Sequence, residues 1–96
     1  MAALRGRFVG RAAEERAAIA ETCGERLDHD ALRRRAHSIA GTAGLFGFDR
    51  IGDEAKALED AIDNDLPDEE VRARATTLEA SLAALSGPEP PGPAER

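Results

Sequence analysis

Apolar residues recur at three- and four-residue intervals through most of this chain, the period of helices that bury one stripe. The first such run, about 2–24, turns Leu4, Phe8, Ala12, Ile19 and Cys23 toward one face. Gly6 and Gly10 weaken its opening turns, and Gly24 ends it. The second runs over about 29–46, with Leu32, Ala36, Ile39, Ala43 and Phe46 as its stripe. Asp28 is its expected N-cap, and Asp30 places negative charge in the first turn, where the helix dipole favours it. The third covers about 50–63, with Asp49 as expected N-cap and Ile51, Ala55, Leu58 and Ile62 facing inward. The fourth opens at Pro67 as first helical residue, followed by Asp68, Glu69 and Glu70. Its stripe is Val71, Ala75, Leu78, Leu82 and Leu85, and Gly87-Pro88 stops it.

No segment alternates with the period of a strand. Short connections make neighbouring helices antiparallel, so the expected fold is all-α, an antiparallel up-and-down four-helix bundle over 1–86. Residues 87–96, GPEPPGPAER, are too rich in proline and too poor in apolar side chains to pack, and read as a disordered tail.

A length of 96 residues fits one domain. Three Phe and no Trp or Tyr leave an aliphatic core built largely from Ala and Leu, which suits helices. The net charge of −6 argues against nucleic acid, whose phosphates call for a basic face. That charge is segregated: residues 1–40 hold eight arginines and six acids, residues 41–96 five basic residues and thirteen acids. Such segregation suits either a partner surface or ordinary solvated helix faces. Cys23 stands alone, which excludes a disulfide framework and a cysteine metal site. No apolar run reaches the ~18 residues of a membrane span, and the N-terminus carries no signal-type apolar region. A soluble, cytoplasmic, monomeric protein is expected.

The chemistry concentrates at His37. On ideal helix geometry it lies about 140° from the centre of the second stripe, with Arg33 and Gly44 near it in angle. It therefore projects from the flank of the bundle. One turn beyond it come Ala40 and Gly41, and then Gly44. Glycine within a helix costs about 0.5–1 kcal/mol relative to alanine. Two glycines beside a histidine either admit a second molecule to the imidazole or let two helices pack closely.

The stretch AHSIAGTAGLFGFDRIGDEAKALED, residues 36–60, resembles the signature of histidine-containing phosphotransfer (HPt) domains of two-component phosphorelays. The matching residues are His37, Ile39, Gly41, Thr42, Ala43, Gly44 and Gly47, then Ala55, Leu58 and Glu59 on the following helix. The family's usual lysine three residues after the histidine is Ala40 here. The resemblance implies a phosphocarrier that takes a phosphoryl group on His37 and exchanges it with aspartates of response-regulator receiver domains or with a histidine kinase. It implies no ATP-dependent kinase activity in this chain and no bound cofactor, with Mg²⁺ expected on the partner receiver. Glu59 matches a position where the family often has a polar residue near the imidazole. It could fix the tautomer, or merely pair with Lys56 or a neighbouring arginine. Arg33 and Arg34, one turn before His37, could supply the absent cation, since an arginine fork suits phosphate oxygens, or could be a solvated face. Ala40, Gly41, Gly44, Leu45 and Phe48 form the expected close-approach face for a partner.

Other readings are weaker. His29 stands eight residues from His37, not the four of a helical zinc pair, and is expected to act locally in its first turn. No nucleophile elbow accompanies Ser38 or Thr42, and no glycine-rich nucleotide loop or Mg²⁺ motif is present. The alternative function is a bundle that binds a receiver or kinase without relaying phosphate.

Overall fold

Alternation of a buried stripe with charged flanks gives four helices: α1 (Ala2–Thr22), α2 (His29–Leu45), α3 (Asp49–Asp63) and α4 (Asp68–Ser86). The computed structural model describes residues 2–86, with the side chains of 6–85. The proposed tail, 87–96, and the side chain of Leu4 lie outside the described residues. Each helix packs against two others, α1 on α2, α2 on α3, α3 on α4 and α4 back on α1. The predicted stripes meet in one core: Phe8, Ala12 and Ile19; Leu32, Ala36, Ile39 and Ala43; Ile51, Ala55 and Leu58; Val71, Ala75, Leu78 and Leu82. Cys23, Phe46, Ile62 and Leu85 close its edges, half-buried. Many of the core positions are alanine, so helix backbones come close and no large ring is needed to fill the centre.

The connections differ from the sequence expectation in detail. α1 ends at Thr22, two residues before Gly24. The chain leaves the helix there because the Asp28 amide donates to the Thr22 carbonyl at 3.0 Å, closing the 23–28 loop. From α4, the Arg72 guanidinium donates to the carbonyls of Cys23 at 2.7 Å and Glu25 at 3.1 Å, replacing water on two loop carbonyls.

Asp28 caps α2 as expected, its Oδ1 accepting from the Ala31 amide at 3.1 Å. The far end of α2 closes in a Schellman turn: the Phe48 amide donates to Ala43 O at 2.8 Å and the Gly47 amide to Gly44 O at 3.2 Å. Gly47 has φ 86°, a left-handed conformation that suits glycine. This turn delivers Phe48, not Asp49, to the N-cap of α3, without a side-chain capping bond. Pro67 likewise stands just outside α4, its carbonyl accepting from the Glu70 and Val71 amides.

Candidate functional site

Two helices build the site, and their register decides what meets what. Along one edge of α2, Arg33, His37, Ala40 and Gly44 follow the i, i+4, i+7, i+11 spacing of a single ridge. Along α3, running past it, Gly52, Lys56, Glu59 and Asp63 do the same. Three rungs between these ridges are direct. Arg33 pairs with Asp63, His37 with Glu59, and a Cβ built on Gly52 would lie 3.5 Å from both Gly44 N and Ala40 O. Gly52 therefore lets α3 lie directly against the α2 backbone at the end beyond the histidine.

His37 stands on the flank, its side chain 73% exposed, while the Glu59 side chain is only 7% exposed. The two meet at 2.9 Å through Nδ1 and Oε2. A carboxylate only accepts, so Nδ1–H is the donor and the neutral ring keeps its lone pair on Nε2. Glu59 is in turn held by Arg33, whose Nη2 lies 3.5 Å from Oε2. Glu59 thus does not pair with Lys56, which instead reaches Asp60 at 3.2 Å.

Arg33 is engaged elsewhere too. Its Nε donates to Asp63 Oδ1 at 2.5 Å and its Nη2 to Oδ2 at 3.3 Å. These hydrogen bonds, with the guanidinium charge, hold the Asp63 carboxyl below the usual carboxylate range and raise the guanidinium pKa above its ordinary value. Its Nε and Nη2 donors thus point at carboxylates. Arg34 is exposed and has no hydrogen bond or ion pair among the described residues.

The expected partner face is divided. A Cβ added to Gly41 or Gly44 would meet nothing within 4 Å, so close helix packing does not account for the absence of a side chain at either position. Leu45 is 77% exposed. Ala40 is half-buried against the core. Phe48 turns inward, half-buried and stacked on Phe8 with ring centroids 5.1 Å apart, so its ring belongs to the core edge. On the other flank of α2, a groove of about 690 Å³ runs between α1 and α2 past Arg7, Arg11, Ser38, Thr42 and Leu45.

His29 is not local to its turn: its Nε2 lies 2.9 Å from Asp68 Oδ1, tying the start of α2 to the start of α4. Sequence reasoning missed Asp63, Gly52 and Glu15, the last nearly buried between Arg35 at 3.2 Å and Arg11 at 3.5 Å. Asp63 carried a readable signal, the i+4 spacing from Glu59. Among the described residues no group of His, Cys, Asp and Glu could hold a metal ion, and no helix is long and apolar enough to cross a membrane.

A family model described as Hpt domain matches residues 3–87, nearly the whole chain. Neither the curated proteins nor the solved structures gave a match.

Proposed function

The chain belongs to the Hpt domain family, the phosphotransfer modules of phosphorelays, and from that premise we propose that His37 is its phosphoryl-accepting residue. The observation that carries this reading is the His37–Glu59 pair: one ring nitrogen held at 2.9 Å by a buried carboxylate, the other on an exposed flank. In the reaction, the Nε2 lone pair attacks the phosphorus of a receiver's aspartyl phosphate. An N–P bond forms, the P–O bond breaks, and the aspartate carboxylate leaves. The ring, now carrying Nδ1–H and a phosphorylated Nε2, gains positive charge, which the Glu59 carboxylate offsets. The reverse sequence returns the group to another aspartate. Family members are carriers rather than kinases, so the metal and the aspartate come from the receiver, with Mg²⁺ bound there and not on this chain. Positioning is the contribution of this domain.

The docking face in this proposal is an up-and-down antiparallel bundle's α2 flank, with Gly41 and Gly44 at its centre and Leu45 at the edge where it meets the α1–α2 groove. Open space where a Cβ would stand on Gly41 and Gly44 lets a receiver backbone approach the imidazole, and Leu45 offers an apolar contact. Arg33 in this account orients Glu59, and Arg34, without an ion pair among the described residues, is a free cation on the N-terminal side.

The test is incubation of the purified chain with a phosphorylated receiver, or with a histidine kinase and labelled ATP. The expected label is acid-labile and base-stable, and absent from His37→Gln. Label that persists in that variant would overturn the site. Tight receiver binding without any label would favour the sequestering alternative.

A further inference from the structure

A phosphoryl group on Nε2 of His37 would arrive as a dianion near the carboxylates of Glu59 and Asp63, in a chain of net charge −6. Ala40, next along the α2 ridge, brings no charge. Arg33 is bound to Asp63 and Glu59 and lies on the side of His37 away from the glycines. The register supplies another cation. The contacts Arg33–Asp63, His37–Glu59 and Gly44–Gly52 fix an antiparallel ladder, and the rung it leaves unfilled sets Ala40 opposite Lys56.

We propose that Lys56 of α3, facing Ala40 across the α2–α3 seam, supplies the ammonium that neutralises the phosphoryl group on His37. This proposal rests on His37 being the phosphorylated residue. Lys56 lies three residues from Glu59, a rise of about 4.5 Å along α3, on the glycine-lined side from which a phosphodonor reaches Nε2. Its side chain is 64% exposed and pairs with Asp60, itself 53% exposed, at 3.2 Å. Exposed pairs of this kind are weak, so a dianion competes readily for the ammonium. The flexible four-carbon stem allows that swing without moving the backbone. Arg33 is the main cause of the lowered Asp63 pKa and the Lys56 charge adds to it, so that charge already reaches into this cluster.

Phosphoramidate tests this without a receiver. Nε2 attacks its phosphorus, the donor's P–N bond breaks, and ammonia leaves. The rate of phosphohistidine formation is measured by phosphorus NMR in the full chain and in Lys56→Ala, Lys56→Arg and the double variant Ala40→Lys/Lys56→Ala. Lys56→Ala is expected to react roughly tenfold more slowly, less than the loss for a buried oxyanion donor because this site is open to water. Lys56→Arg and the double variant are expected to recover most of the rate, which a merely structural lysine would not allow. A wild-type rate in Lys56→Ala overturns the proposal, and so does a slow Lys56→Ala that neither restored charge rescues. If the unsubstituted chain takes no label on His37, the phosphocarrier reading falls, and this proposal with it. Labelling of His37 with no dependence on Lys56 removes this proposal alone.

Discussion

A histidine works as a nucleophile when one ring nitrogen is held and the other is left bare. Glu59 holds Nδ1 from inside the bundle, Arg33 steadies Glu59, and Asp63 steadies Arg33, so four side chains from two helices form one chain of contacts. The spacing of residues along α2 was enough to place His37 on the flank, because burial there follows directly from helical period. The partner of Arg33 was not legible, because which α3 carboxylate it meets depends on the register between helices, which no local pattern encodes. The Arg33–Asp63 bond has a consequence in acid. Arg33 holds the Asp63 carboxyl below the usual carboxylate range, so its contribution is whole at neutral pH and is lost as pH falls through the folded value. Wild type is therefore expected to exceed Asp63→Asn in urea stability at pH 7, with the gap shrinking below about pH 4. Both groups are exposed, so the gap is small; a gap that widens in acid would contradict the assignment.

At the scale of elements, four helices and their buried stripes could be read from apolar spacing, since each core position recurs with the helix turn. The ends were less legible. Phe48 rather than Asp49 caps α3 because the Gly47 turn fixes where the chain re-enters a helix, and Phe48 turns inward because Phe8 of α1 offers it a stacking partner. Both reasons are tertiary. α2 itself carries the trade between stability and access. Gly41 sits mid-helix with open space where a Cβ would be, so Gly41→Ala should raise the unfolding free energy by about 0.5–1 kcal/mol. The same methyl stands on the proposed docking face, so phosphotransfer from a receiver should slow. Urea melts and transfer rates measured on one preparation check both halves. A destabilised variant would show that Gly41 serves the fold instead.

At the scale of the molecule, the charge segregation seen along the chain is partly consumed inside the fold. Arg35 meets Glu15, Arg33 meets Asp63 and Glu59, and Arg72 holds the loop after α1. Arg7 lines the groove between α1 and α2 near Leu45, with Arg11 and its partner Glu15 beside it, so arginines border one side of the α2 flank while acids from α3 border the other. His37 lies between them. The central claim is that Nε2 of this one histidine takes the phosphoryl group, and phosphorus–nitrogen NMR of the phosphorylated, ¹⁵N-labelled chain tests it most directly. The account predicts phosphorus coupled to Nε2 of His37 with Nδ1 still protonated; phosphorus on Nδ1, or on the other histidine, His29, would contradict it.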